Sequence, residues 1–213
     1  LSTVNSRLIQ KGRLSETEEG KIHKAIDEYA KIARAIYVYE AGPETTVSAI
    51  EAIARRIMRN HNADKILIGI DYLQLVPIPN GTKFDTDKVR LDKACSDLRR
   101  LARTLQSPVV ALSSLNRPAY GKGGKADLSS FKESGGIEYG ADIAGTMEED
   151  TKVTQALTRK NSRSMRGVDL KIHKNRNGER AKISFNFDMA VSTFEEMTKS
   201  DLIDTETEGS YYP

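Results

Sequence analysis

Lys65-Ile66-Leu67-Ile68-Gly69-Ile70-Asp71 is the stretch from which the fold can be read. Its aliphatic residues do not alternate with polar ones, so it reads as a strand buried on both faces, as in parallel sheets covered by helices. Asp71 is its polar end. Pro108-Val109-Val110-Ala111-Leu112 repeats the pattern and is finished by Ser113 and Ser114. Between the two, a turn-rich stretch with Pro77, Pro79 and Asn80-Gly81 precedes a helix predicted over about 85–106, with Val89, Ala94, Leu98, Leu101 and Leu105 on one side.

Upstream, Ser15-Glu16-Thr17-Glu18 has capping-box spacing and opens a helix over about 16–34, along which Ile22, Ile26, Tyr29 and Ala33 recur. Ala35-Ile36-Tyr37-Val38-Tyr39 reads as a short apolar strand ended by Gly42-Pro43. Thr45 or Thr46 then caps a helix carrying Val47, Ile50, Ile53, Ala54 and Ile57. Strands alternating with helices imply βαβ units, right-handed crossovers and a parallel sheet. From about residue 141 the pattern changes to short strands without long helices, near 142–147, 168–173 and 181–187. The predicted fold class is α/β, a parallel sheet flanked by helices, with antiparallel strands added as a hairpin at the C-terminal end.

A chain of 213 residues can bury roughly 70% of its unfolded surface without staples. The single cysteine, Cys95, excludes a disulfide scaffold and implies a reducing compartment such as the cytoplasm. The longest apolar run falls far short of the roughly 20 residues a membrane helix needs, so no membrane partner is expected. No signal peptide is evident, and a start at Leu1 rather than Met reads as a fragment or processed product. The net charge of +3 conceals an asymmetry. Residues 1–150 carry 22 Lys+Arg and 21 Asp+Glu, residues 151–182 carry 10 and 2, and residues 183–213 carry 1 and 7. Such a basic segment is either a polyanion contact or a solvated face.

Ligands of open parallel sheets bind at the carboxyl ends of the strands, which points to Asp71 and to Ser113 through Asn116. A carboxylate there suits a magnesium ion bound through water beside nucleotide phosphates, or a cap on the next turn. The phosphate-loop pattern G-x-x-x-x-G-K-[ST] is absent. Gly121-Lys122-Gly123-Gly124-Lys125-Ala126 is its nearest imitation and reads as a basic loop. With Lys122, Lys125 and Lys132 it either contacts phosphates or is simply solvated. Lys174-Asn175-Arg176-Asn177-Gly178 ends a predicted strand in a tight Asn-Gly turn, with two cations the turn does not require. His23, His61 and His173 share no zinc-like spacing, and Cys95 reads as a small buried apolar residue.

Four strings in order, Ile70-Asp71-Tyr72-Leu73-Gln74-Leu75, Leu112-Ser113-Ser114-Leu115-Asn116-Arg117, Glu133-Ser134-Gly135-Gly136-Ile137-Glu138-Tyr139-Gly140-Ala141-Asp142 and Lys174-Asn175-Arg176-Asn177-Gly178, resemble the RecA-like ATPase domain of DnaB-type replicative DNA helicases. The resemblance runs from about residue 1 to Phe194-Glu195, which implies a helicase domain over 1–196 and an acidic, flexible tail over 197–213. It implies a ring-forming enzyme, homohexameric in the family, that couples ATP hydrolysis with Mg2+ to movement on single-stranded DNA and unwinds duplex at the replication fork. It further implies a setting in the bacterial nucleoid or a phage-infected cell, with primase and a helicase loader as partners.

By the same resemblance Asp71 is the Walker B carboxylate that holds magnesium, and Asn116-Arg117 belongs to the motif that senses the terminal phosphate. Lys174 and Arg176 match the pair inserted into the neighbouring subunit's ATP site, Arg176 as the arginine finger. Lys132, Glu133 and Gly135 match the loop that grips single-stranded DNA. Ser114 stands where the family usually has glutamine, so its shorter side chain needs a bridging water. Lys132 replaces the usual arginine, keeping charge and losing the planar fork. The chain starts downstream of the family's phosphate loop, so by itself it resembles only the later part of the ATPase core. The rival reading is a non-catalytic DNA-binding or assembly subunit that kept the fold and lost the phosphate loop. A recombinase-like or clock-type ATPase of the same fold is a third.

Overall fold

The capping box predicted at Ser15 forms as the spacing requires. Glu18 N–H donates to Ser15 Oγ, Ser15 N–H donates to the Glu18 carboxylate at 2.8 Å, and helix α2 (Glu16–Ala33) follows. A five-residue helix, α1 (Ser6–Gln10), precedes it. The computed structural model describes residues 3–78, 87–114, 140–159 and 164–198. The chain divides into two compact units, Leu1–Tyr39 with Thr146–Lys171 and Ala181–Pro213, and Glu40–Gly145 with Ile172–Arg180.

The second unit holds the parallel pair. Thr46 caps α3 (Val47–Asn60) by accepting from Ala49 N–H, while Thr45 accepts from Gly42 N–H and closes the preceding turn. Strand β1 (Ile68–Ile70) pairs in parallel with β2 (Val109–Ala111) in the register Ile68 to Val109, Gly69 to Val110 and Ile70 to Ala111. Helix α4 (Asp87–Leu105) lies between them in sequence. Val47 and Ala54 of α3, Ala94, Leu98, Leu101 and Leu105 of α4, Ile68 of β1, and Leu73 and Val76 beyond it make one buried cluster. Ile66, Ile70 and Val109 pack against that cluster.

Burial on both faces, expected for these strands, does not occur. Odd and even positions part: Ile66, Ile68 and Ile70 face the helices, whereas Leu67 is 67% exposed and Val110 and Leu112 are 54% and 56% exposed. Among the described residues α3 and α4 cover one side of the pair only, so an unbroken aliphatic run yields a half-buried strand. The strand predicted over Ala35–Tyr39 is also absent. Ile36 to Tyr39 has no regular structure, and Val38 is 91% exposed. Helix α2 forms, yet buries none of its residues, and Val89 at the start of α4 is exposed as well.

At the C-terminal end, strands β3 (Ile143–Asp150), β4 (Met165–Asn175), β5 (Lys182–Asp188) and β6 (Thr193–Glu196) form one sheet in that order. Of these, β4, β5 and β6 pair antiparallel as predicted, in a sheet richer than predicted. Helix α5 (Thr151–Arg159) between β3 and β4 was not anticipated from the sequence. Asp150 caps it by accepting from Lys152 and Val153 N–H, and Val153 and Ala156 are its buried residues. The missed signal is a capping Asp ahead of apolar residues three apart, short enough to pass for part of a strand. On β5 and β6, Phe187 stacks on Phe194 at 4.2 Å between centroids, and Phe185 meets the same ring edge-on at 6.0 Å.

Candidate nucleotide site at the strand ends

Parallel pairing brings the carboxyl ends of β1 and β2 side by side. Leu112 N–H donates to Ile70 C=O at 2.9 Å, and Leu73 N–H donates to Leu112 C=O at 2.7 Å. Asp71 lies between these two bonds, exposed, and the Asp71–Tyr72 peptide is cis. Beyond it the chain turns through a 3-10 helix (Leu73–Leu75) whose Leu73 is buried in the core, so the carboxylate is flanked by a bonded strand and an apolar anchor. That placement leaves the charge in water while fixing the backbone that carries it.

Gln74 ties the two ends together. Its Nε2 donates to Ser113 Oγ at 2.9 Å and to Ser114 C=O at 3.1 Å, and its Oε1 accepts from Ser114 N–H at 3.3 Å. One carboxamide therefore satisfies both main-chain groups of Ser114, as a neighbouring strand would. Gln74, Ser113 and Ser114 are joined by hydrogen bonds, and Asp71 completes the polar residues at the end of the parallel pair. Sequence reasoning singled out Asp71 and Ser114 and passed over Gln74. The available signal was a carboxamide between Leu73 and Leu75, in a turn whose neighbours are apolar.

Lys174 and Arg176 lie at the other expected place, the end of β4. The turn there is built by Asn175, whose Nδ2 donates to Glu179 C=O at 3.0 Å and whose Oδ1 accepts from Asn177 N–H at 3.4 Å. A Cβ on Gly178 would come within 2.8 Å of Asn175 Nδ2, so the Asn-Gly pair belongs to the turn itself. Arg176 N–H donates to Asp142 C=O at 2.9 Å and its Nη1 pairs with Asp142 Oδ1 at 3.0 Å. Asp142, a second residue passed over, thus holds the arginine through main chain and side chain together.

Part of the basic segment of residues 151–182 is paired within the chain. Lys171 pairs with Glu148 at 2.6 Å, Lys182 with the buried Asp169 at 2.9 Å, and Arg166 with Glu149 at 3.8 Å. Ser184 Oγ donates to Asp169 as well, at 2.7 Å. Counting charge along the sequence could not show this, because Glu148 and Glu149 lie just outside the segment. Asn116, Arg117, Lys122, Lys125, Lys132, Glu133 and Gly135 lie outside the described residues.

The profile of the family "DnaB-like helicase C terminal domain" matches residues 1–196. Among characterised relatives, "Replicative DNA helicase DnaC" of Bacillus subtilis (strain 168) is 31% identical over 185 residues, covering 86% of this chain and 38% of its own length. "Replicative DNA helicase DnaB" of Buchnera aphidicola subsp. Acyrthosiphon pisum is 32% identical over 197 residues, covering 92% of this chain and 40% of its own. The chain thus spans about two fifths of the length of these relatives. Among solved structures, an isolated ATPase domain aligns with a TM-score of 0.74 at 26% identity, over 92% of this chain and 66% of that one. A structure described as "The Structure Of A DnaB-Like Replicative Helicase And Its Interactions With Primase" aligns with a TM-score of 0.77 at 27% identity, over 92% and 46%. Matched by that profile over residues 1–196, this chain belongs to the DnaB-like helicase C-terminal domain family.

Proposed function

We propose that the protein carrying this chain is an ATP-dependent replicative DNA helicase that assembles as a ring, taken to be hexameric, and moves on single-stranded DNA. The observation that carries this reading is the placement of the polar residues Asp71, Gln74, Ser113 and Ser114 at the carboxyl ends of two parallel strands, where this class of sheet binds its ligands. An exposed carboxylate at such a strand end fits a magnesium ion held largely through water. Asp71 would hold that ion, which when bound neutralises charge on the phosphates. Ser114 hydrogen-bonds the terminal phosphate or the attacking water through a bridging water. Asn116 and Arg117 are assigned to sensing the same phosphate.

Lys174 and Arg176 are assigned to a neighbouring subunit's nucleotide, where Arg176 meets charge developing on the transferred phosphoryl group. Asp142 supports that assignment by tethering the arginine to the strand end. Single-stranded DNA is assigned to Lys122, Lys125, Lys132, Glu133 and Gly135, and primase and a loader are the proposed protein partners. The test is DNA-stimulated ATPase and unwinding by the natural full-length protein. Arg176→Ala is expected to lower turnover by roughly 10³-fold or more, with assembly retained. Turnover at the parental rate would remove the finger assignment, and parental turnover by Asp71→Ala would remove the nucleotide site.

A further inference from the structure

We propose that Gln74 is a positioning residue for terminal-phosphate sensing, holding Ser114 in place at the strand end next to the one that carries Asp71. The proposal rests on the nucleotide reading given above and adds to it a residue that touches neither nucleotide nor metal. Three hydrogen bonds carry it: Nε2 to Ser113 Oγ, Nε2 to Ser114 C=O, and Ser114 N–H to Oε1. Both hydrogens of the amide are consumed, so the side chain has one orientation that satisfies all its partners. Its own backbone is set by the turn of Leu73–Leu75 and by buried Leu73. The side chain is half-buried, in contrast to the exposed Asp71 and Ser114.

Two consequences follow from this geometry. Holding both main-chain groups of Ser114 determines where its hydroxyl starts. A serine in place of a longer side chain works through a bridging water, whose position is set by where the serine main chain is held. Gln74 thus supplies from the β1 side the rigidity that the short Ser114 side chain cannot supply itself.

The experiment measures kcat and KM for ATP of the full-length protein with saturating single-stranded DNA. It compares Gln74→Ala, the isosteric Gln74→Glu, Ser114→Ala, the Gln74→Ala/Ser114→Ala pair and Asp71→Ala. Gln74→Glu keeps the size and an acceptor and loses both amide donations. Both Gln74 variants are expected to lower kcat on the order of tenfold with KM for ATP changed less than about twofold. The double variant is expected to lose much less than the product of the single losses. Should Gln74→Ala not fold, as judged by its thermal unfolding, Gln74→Glu is read by the same criteria. Parental kcat in the folded Gln74 variants, a fall expressed in KM alone, or fully multiplicative losses with Ser114→Ala would overturn the positioning role. If at the same time Asp71→Ala is inactive, the nucleotide reading stands without it; a fully active Asp71→Ala sinks the nucleotide reading instead.

Discussion

Cys95 shows how position alone sets the chemistry of a side chain. It sits on α4 against the helix-covered side of the parallel pair, and burial pushes its thiol up to about 11, with nearby Asp92 adding to the shift. The nucleophile is the thiolate, so at pH 7 to 8 Cys95 should react with a thiol reagent much more slowly than a free cysteine. Labelling followed by mass spectrometry checks this, with full reaction expected only after denaturation. The sign of the linkage is also defined. The unfolded thiol ionises before the folded one, so stability should decline as pH rises from about 9 toward 11. Rapid labelling of the native protein at pH 7 would show that the site is open. Residues of this kind were legible in the sequence as apolar stripe members, because burial of a small residue on a helix follows from periodicity.

At the scale of elements, β4 and α5 meet closely at Gly167. A Cβ on Gly167 would lie 2.5 Å from both Cβ and Cγ1 of Val153, and Gly167 N–H donates to Thr154 Oγ1 at 3.0 Å. Only a hydrogen fits between strand and helix there. Gly167→Ala should therefore cost about 1–3 kcal/mol of stability, measured by urea unfolding. Val153→Gly removes both clashing atoms, whereas Val153→Ala would keep the Cβ, so in the Val153→Gly background the further cost of Gly167→Ala should shrink, a coupling a double-mutant cycle reads directly. Equal costs in both backgrounds would mean the strand moves instead. The same element explains a misreading: Gly167 and Asp150 acquire their meaning from α5, a helix that a search for long periodic stretches passes over.

For the molecule as a whole, stability of the second unit concentrates in one cluster. Leu101 is 1% exposed and sits among Leu98, Leu105 and the apolar residues of α3 and β1. Leu101→Ala should cost about 3–5 kcal/mol, seen as a lower urea midpoint, and should disturb the strand ends because β1 and β2 rest on that cluster. A loss below about 1 kcal/mol would show that the helices close the cavity. Sequence by itself determined what local signals encode: the capping box at Ser15, the helices α3 and α4, the Asn-Gly turn, and the polar strand ends at Asp71 and Ser113. Each depends on residues within a few positions, where periodicity and hydrogen-bond spacing act directly. Only the tertiary structure decided that β1 and β2 bury a single face, that Glu148, Glu149 and Asp169 pair with cations of the basic segment, and that Gln74 meets Ser113 across 39 residues and Asp142 meets Arg176. The reason is physical: burial and ion pairing depend on which surfaces meet, and residues far apart along the chain carry no local mark of the partner that folding will bring to them.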